Sequence, residues 1–375
     1  MRYLTDEYIP FHALGGMSSG GDPGPGCRAA PQRDLKGETM KNKALLVTGA
    51  MAATALVASG CSGAGGGEGG GSYTWDFTIT TSDSSTWYEG AERFGELLEE
   101  KSDGRMTLNI VANEQLSGGD PAAGVEMLAD GGKAFSYNSP IIYSGIDPRF
   151  GAITAPFLYE NIEEADAVLA GTGAEAYDQL TEEMGIEFLG FGESGFRQLT
   201  TADREVTAPE DLDGLKFRVA GSALFLDIYR EMGADPVSMN WAEVFTSLQN
   251  GTIDGQENPI DIIHSSSLSE VQSHLTLWNY VYDPLILGMN KGMFDELSEE
   301  DQQIVTEAAA EANEFQVQAN RDKADEQLAE LQETMQVVEL NPEQREVFRS
   351  AMEPVYEKYE AEWTPEIFEK VQPQG

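Results

Sequence analysis

Arg218 is the residue of this sequence whose type and setting point most directly to chemistry. It lies in LKFRV, where the apolar residues Leu215, Phe217 and Val219 alternate with two cations, as along a strand. A guanidinium is planar and permanently charged, and its parallel N–H groups match the two oxygens of a carboxylate. The pattern predicts either an arginine that binds an organic acid or a cation on the solvated face of a strand.

Three further residues extend this candidate site. Arg197, in the segment GFRQ, is a second possible ligand for a carboxylate, or it could pair with a surface carboxylate. Asn258, in GQENP, could offer its amide to a ligand or cap a helix entered at Pro259. Trp241 precedes a predicted helix, where its indole could close over an apolar ligand body or only fasten the helix to its domain.

Composition limits the function classes. The chain has 375 residues, 41% apolar and 23% charged, which is ordinary for a globular protein of about two domains. It carries 23 Lys plus Arg against 65 Asp plus Glu, a formal net charge of -42. Nonspecific attraction to nucleic acid or to anionic lipid is therefore disfavoured. A pocket for an organic anion would need cations placed against the surrounding field.

The N-terminal region is typical of a bacterial secretion signal. From Met40, two lysines precede an apolar run at 44–58, and the small residues of ASGC lead to Cys61. This resembles a lipobox, so residues 40–60 are predicted to be a lipoprotein signal peptide and Cys61 the lipidated residue. A transmembrane anchor is the alternative, but about 15 apolar residues fall short of the roughly 20 that span a bilayer.

The segments around this signal are not expected to carry function. Residues 1–39 are rich in Gly and Pro and are interpreted as an upstream extension from a misassigned start codon, and residues 61–72 as a glycine-rich tether. Cys27 and Cys61 are the only cysteines. The folded region is therefore expected to hold no disulfide, no thiol nucleophile and no cysteine metal site, and no cofactor or metal is predicted.

Beyond Tyr73, short apolar strands alternate with amphipathic helices, which predicts an α/β fold. Two apolar extended runs, 275–282 and 285–289, are separated by Asp283-Pro284, where a hinge or crossover is expected. From Ser298 to Met335 there is neither glycine nor proline, which predicts a capped helix of roughly 37 residues, about 55 Å long. A helix running across two domains suits this length better than a coiled-coil arm, since no strict heptad is kept.

The chain from about Tyr73 to Trp363 resembles the solute-binding proteins of tripartite ATP-independent periplasmic (TRAP) transporters, the DctP family. The matching segments occur in the family's order and cover nearly the whole mature protein. They are WYEGAERFGELLEEKSDGRMTL, EQL, APFLYEN, GFRQLTT, DLDGLKFRV, GADPVSMNWAEVFTSLQNGTIDGQENP and LTLWNYVYDPLILGMNK. Each segment alone is weak, but together they are specific.

The resemblance implies a periplasmic-binding-protein-like fold of two domains with a cleft between them and a long helix spanning both. Domain I is expected to comprise residues 73–195 and 284–323, and domain II residues 196–283 and 324–375. It further implies an extracytoplasmic protein that delivers a small organic acid to TRAP membrane subunits, and the lipobox adds the expectation that this protein is lipid-anchored at the outer face of the cell membrane.

The resemblance also implies the ligand contacts. Arg218 falls on the strand arginine that holds the substrate carboxylate through two parallel hydrogen bonds, and Arg197 and Asn258 complete the clamp. The contacts beyond the carboxylate, which would set ligand identity, are expected from first-domain loops and from the indole already noted; they are Trp241, Asn138, Ser139, Ser82 and Trp87.

Two alternative functions stay open from the sequence. A ligand-sensing protein for a surface receptor would use the same pocket. A secreted hydrolase is less favoured because the mature region has only His264 and His274 and lacks HExxH, GxSxG and P-loop motifs. Paired carboxylates of a glycosidase cannot be recognised in so acidic a chain, since any two could be neighbours in space.

Overall fold

The computed structural model of the chain describes residues 71–374. The predictions made for residues 1–70, including the signal peptide and the lipidation of Cys61, lie outside the described residues. Within residues 71–374, no helix is both long and apolar enough to cross a membrane. The same part of the chain shows no group of three or more His, Cys, Asp or Glu residues placed to hold a metal ion.

Strands and helices alternate along most of the described chain, as predicted for an α/β fold. The strands are β1 (Tyr73–Ile79), β2 (Met106–Val111), β3 (Phe135–Asn138), β4 (Ile186–Thr201), β5 (Lys216–Val219), β6 (Asp235–Ser238), β7 (Gly255–Pro259), β8 (His274–Leu277), β9 (Tyr282–Asn290) and β10 (Gln336–Glu339). The helices are α1 (Thr86–Lys101), α2 (Pro121–Ala129), α3 (Pro140–Tyr143), α4 (Ile162–Leu169), α5 (Thr172–Glu183), α6 (Ala223–Glu231), α7 (Trp241–Gln249), α8 (Ile260–Ser265), α9 (Lys291–Asp295), α10 (Glu299–Thr334), α11 (Pro342–Ser350), α12 (Glu353–Trp363) and α13 (Pro365–Val371).

The strands form two half-sheets that share β4. In the first half-sheet, β2, β1 and β3 run parallel, and β9 joins β3 to the N-terminal part of β4 through antiparallel pairing. In the second half-sheet, the C-terminal part of β4 pairs antiparallel with β7 and β8, and β5 and β6 continue in parallel from β7. The junction lies between Phe196, which pairs with β9, and Arg197, which pairs with Pro259 of β7.

A β-bulge sits just before this junction. The register between β4 and β9 shifts between Glu193 and Gly195, and Gly195 has φ +100°, a conformation that side chains with a Cβ rarely adopt. A bulge bends the strand and redirects the side chains that follow it. Gly195 therefore lets β4 continue into the second half-sheet with Arg197 two residues later at the junction.

Helix α10 is the long helix predicted from the sequence. It spans 36 residues, and the Ser298 side chain caps it by accepting a hydrogen bond from the Asp301 backbone N–H at 3.1 Å. It packs against α1 beside the first half-sheet, against β4, and against α8. This helix thus contacts elements on both sides of the shared strand.

Two expectations about strand boundaries were wrong. The apolar pattern of the sequence predicts a strand only over residues 186–191, but strand β4 continues to Thr201, because its glycines are accommodated in bulges rather than in a turn. Asp283-Pro284 does not separate two extended runs, since both residues lie inside the continuous strand β9; the chain crosses from the second half-sheet to the first just before them, between β8 and β9. Pro284 pairs with Glu193 where the register of β4 shifts, a position at which a missing backbone N–H is tolerated.

Candidate functional site

A narrow cleft with a cavity volume of about 40 Å³ lies between the two half-sheets. From the first side it is lined by Thr80, Thr81, Trp87, Ser139, Ile141 and Ile142. From the second side it is lined by Arg197, Arg218, Ala220, Trp241, Asn258 and Ile262. The cleft therefore gathers residues from β4, β5 and β7 with residues from loops and helices of the first half, although these lie far apart in sequence.

Arg218 is held rigidly on the inner face of β5. It is 4% exposed, and its Nε and Nη2 groups both donate to the carbonyl oxygen of Met239, at 3.0 and 2.8 Å. The guanidinium carbon lies 5.3 Å from the ring centre of Trp241, in range of a cation–π interaction. The solvated-face alternative for Arg218 is thus excluded by its burial.

The charge of Arg218 is not neutralised by any carboxylate within 4 Å among residues 71–374. Its Nη1 group has no partner there, and Nη2 keeps a second N–H for another acceptor. Burial lowers the pKa of Arg218 to about 10, which still leaves it protonated at neutral pH. A buried, uncompensated cation lining a cleft is energetically costly and is suited to receiving an anion.

Arg197 lines the same cleft but is already paired. Its Nε and Nη2 groups bind the carboxylate of Glu257, and its Nη1 binds Asp283 at 2.5 Å. Both carboxylates are fully buried. Burial alone would lower the pKa of Arg197, but the charges of Glu257 and Asp283 outweigh it and the pKa is raised. Arg197 is left with one N–H of Nη1 to offer a ligand.

Asn258 lies on β7 between the two arginines. Its Oδ1 accepts from Arg197 Nη2 at 3.0 Å, and its Nδ2 donates to Gln256 at 2.6 Å. Helix α8 begins after it, but the Asn258 side chain makes no capping hydrogen bond to that helix. The capping alternative is therefore not realised, and one N–H of the amide remains unused at the cleft.

The two tryptophans predicted at the site both line the cleft. Trp241 is the first residue of α7 and is half-buried beneath Arg218. Trp87 lies in the first turn of α1, whose N-terminus is capped by Ser85 accepting from the Tyr88 N–H. The Trp87 indole is 4% exposed, and its buried Nε1 has no hydrogen-bond partner among the described residues.

The first-domain polar residues divide into one that lines the cleft and two that do not. Ser139 lines it, and its hydroxyl donates to Asp283 at 2.5 Å. Asn138 is fully buried behind it and bonds to Thr80 and Glu114, while Ser82 is not among the lining residues and bonds to Ser84. Thr80 and Thr81 occupy the place expected for Ser82.

Sequence reasoning missed the apolar part of the cleft. It is formed by Ile141 and Ile142 on α3, Ala220 after β5, and Ile262 on α8. Their position in the sequence could have indicated them, since each of these residues lies within a few residues after a strand that carries a predicted ligand residue. Aliphatic residues are common in cores, so type alone did not single them out.

The pairing of Asp283 gives a testable pH dependence. Burial raises the pKa of Asp283 to about 6, and Arg197 and Ser139 offset this only in part. Because the folded pKa lies above the ordinary value, the stabilising contribution is complete below about pH 4 and is lost as the pH rises through about 6. Between pH 4 and 7 the free energy of unfolding of the wild type should fall by roughly 1–3 kcal/mol relative to Asp283→Asn.

Urea unfolding of both proteins at several pH values measures this difference. The asparagine variant is the reference, because its amide oxygen can accept from Arg197 and its N–H can donate to the Ser139 hydroxyl, while the titrating proton is removed. Parallel pH curves for the two proteins would show that the Asp283 carboxyl does not titrate in this range.

Comparison with known proteins identifies the family of this fold and cleft. Residues 77–362 match the family model of bacterial extracellular solute-binding protein, family 7, known as DctP. The chain belongs to this family. As a DctP protein it is 32% identical over 240 residues to the 2,3-diketo-L-gulonate-binding periplasmic protein YiaO of Escherichia coli, covering 64% of this chain and 73% of that protein.

Two solved structures that share this fold carry ligands. The sugar acid binding protein of Advenella mimigardefordensis, in complex with galactonate, superposes with a TM-score of 0.77 at 31% identity, covering 80% of this chain and 97% of that one. A TRAP periplasmic solute-binding protein of Ralstonia eutropha with bound (S)-2-acetolactate gives a TM-score of 0.77 at 27% identity, with the same coverage of 80% and 97%.

These matches confirm the family resemblance and the fold class predicted from the sequence. The chain has the α/β fold of the TRAP solute-binding proteins, which comprises two domains. Members of the family are extracytoplasmic proteins that bind solutes, and the three relatives named above bind organic acids. The exact domain boundaries and the ligand contacts remain predictions.

Proposed function

We propose that this protein captures a small organic acid by its carboxylate in the cleft and delivers it to the membrane subunits of a TRAP-type transporter. The main support for this proposal is the environment of Arg218. It is a buried cation that lines the cleft, has free N–H donors and has no carboxylate partner among the described residues. Each charge-assisted hydrogen bond to a ligand carboxylate would be stronger than a neutral one. The ligand thereby supplies the missing counter-charge.

Closure of the cleft around the ligand is part of the proposal. Two residues along the chain from Ile142 and Ala220, which line the cleft, the Ser144 and Ser222 hydroxyls lie 2.8 Å apart. A Cβ on Gly145 would collide with the carbonyl oxygen of Gly221. Contacts this close support a state in which the two sides have shut. A ligand held from both sides favours that state through its higher affinity for it.

The cellular setting completes the proposal. The signal sequence and ASGC at 58–61 support a lipid-anchored protein on the outer face of the membrane, attached at Cys61 through the glycine-rich tether. The protein is proposed to bind its ligand without chemical change. Uptake of labelled acid into vesicles that contain the cognate membrane subunits tests delivery, with protein lacking bound acid as the baseline.

The binding step is tested by comparing an acid with its neutral amide. A thermal-shift screen of small organic acids selects those that raise the melting temperature, since a ligand that binds only the folded form stabilises it. Calorimetry with the best acid and its primary amide should then show at least a roughly tenfold weaker amide, because the charge is lost while shape is kept. Equal affinities, or no stabilising acid, would contradict carboxylate capture.

A further inference from the structure

We infer that the ligand is a monocarboxylate with a mostly apolar body and one further hydrogen-bond acceptor, such as a branched 2-oxo acid, rather than a dicarboxylate or a sugar acid. The inference rests on the proposed carboxylate capture and narrows its substrate class. Family membership does not decide this, because relatives with this fold hold galactonate in one case and 2-acetolactate in another. The side chains of this cleft decide it.

The charges of the cleft fit one carboxylate. The only cations among its lining residues are Arg197 and Arg218. Arg197 is balanced by Glu257 and Asp283, so Arg218 alone lacks a counter-charge among the described residues. A second ligand carboxylate would enter a buried site without a free cation and would lose its hydration without compensation.

The hydrogen-bonding groups of the cleft do not suit a row of hydroxyls. Each sugar hydroxyl taken from water needs an acceptor, and no carboxylate is among the lining residues. The Thr80 and Ser139 hydroxyls already donate to Asn138 and Asp283, and Asn258 Oδ1 already accepts from Arg197. The N–H groups of Arg218, Arg197, Asn258 and Trp87 that are left over call for acceptors on the ligand.

The remaining wall is apolar. Ile141, Ile142 and Ile262 present branched aliphatic side chains, Ala220 a methyl group, and Trp241 the face of an indole. An aliphatic body buried against these groups gains free energy from the loss of its contact with water. Hydroxyl groups in the same place would give up water without a partner.

Trp87 supplies the donor for the second acceptor. Its Nε1 is buried and has no partner within residues 71–374, and the indole lines the cleft. The buried Nε1 groups of Trp278 and Trp363 also lack a partner among the described residues, but only Trp87 lines the cleft, where a ligand oxygen can accept from it. We assign Trp87 Nε1 to the oxygen next to the carboxylate, the 2-oxo group, as a specificity-determining contact.

Three acids of equal carbon number separate the classes. The probes are 4-methyl-2-oxopentanoate, adipate and galactonate, titrated by calorimetry into protein that has been unfolded, dialysed and refolded to remove any bound ligand. We expect 4-methyl-2-oxopentanoate to bind at least roughly tenfold tighter than the other two. Equal or tighter binding of adipate or galactonate overturns the inference but leaves carboxylate capture intact. Failure of all three to bind overturns the inference, whereas carboxylate capture is then decided by the wider thermal-shift screen.

The Trp87 contact is tested by the variant Trp87→Phe, which keeps an aromatic ring and removes the N–H. The readout is the ratio of affinities for 4-methyl-2-oxopentanoate and 4-methylpentanoate, which differ only in the 2-oxo oxygen. This preference should fall roughly three- to tenfold in the variant, as for the loss of one hydrogen bond. Trp75→Phe, in the first-side core away from the cleft lining, should leave it unchanged. A preference that survives Trp87→Phe overturns the assignment.

Discussion

Replacing Arg218 with methionine is expected to weaken binding of the organic acid by roughly 100-fold, while the free energy of unfolding changes by about 1 kcal/mol or less. Methionine is chosen because it fills most of the same volume without charge. The bound acid loses its charge-assisted partner, which accounts for the affinity. Calorimetry of both proteins with the acid selected by thermal shift measures the first effect, and urea unfolding without ligand measures the second.

The small change in stability follows from two opposing effects. The variant loses the hydrogen bonds from Nε and Nη2 to the Met239 carbonyl, which destabilises the fold. It also removes a buried cation that has no counter-charge within 4 Å among the described residues, which stabilises the fold. Because Arg218 adds little to the stability of the unliganded protein, its role is expected to lie in binding.

Lys216→Met is the matched control for Arg218→Met. Lys216 lies two residues earlier on the same strand, carries the same charge and points to solvent. Its replacement removes one positive charge from the same element without touching the cleft, so affinity should stay within about twofold. If both variants weakened binding equally, the effect would be that of the overall field, and the specific role of Arg218 would be refuted.

Helices α7 and α10 and their starting points were predictable from the sequence because they depend on local signals. Helix α10 follows from an uninterrupted run of helix-forming residues after the capping residue Ser298, and α7 from apolar spacing that begins at Trp241. Strand β4 was predicted too short because a glycine within a strand can mark either an end or a bulge. Only the pairing with β9, distant in sequence, shows that Gly195 is a bulge.

The candidate site was predictable in part for the same reason. Arg218 could be placed on a strand by its alternating neighbours, and the resemblance to a family supplied its role. The neutralisation of the Arg197 charge could not be predicted, because its partners Glu257 and Asp283 lie 60 and 86 residues away in a chain with many carboxylates. The two arginines look equivalent in the sequence and differ only in which acids the fold brings beside them.

The difference between the two arginines leads to an opposite expectation for Arg197→Met. Removing this guanidinium leaves Glu257 and Asp283, both fully buried, without a cation among the described residues. Breaking a buried ion pair in this way is expected to lower the free energy of unfolding by about 3–5 kcal/mol. Urea unfolding followed by circular dichroism measures the loss, which should exceed that of Arg218→Met several-fold.

Two further variants show whether the loss comes from the stranded carboxylates. Adding Glu257→Gln to Arg197→Met removes one of the uncompensated charges and keeps an acceptor for Tyr280, so part of the stability should return. Arg93→Met breaks the exposed pair with Glu96 and should cost about 0.5 kcal/mol or less. If the double variant were no more stable than Arg197→Met, the loss of stability would come from lost packing around the arginine. The assignment of Arg197 as the counter-charge of Glu257 and Asp283 would then be wrong.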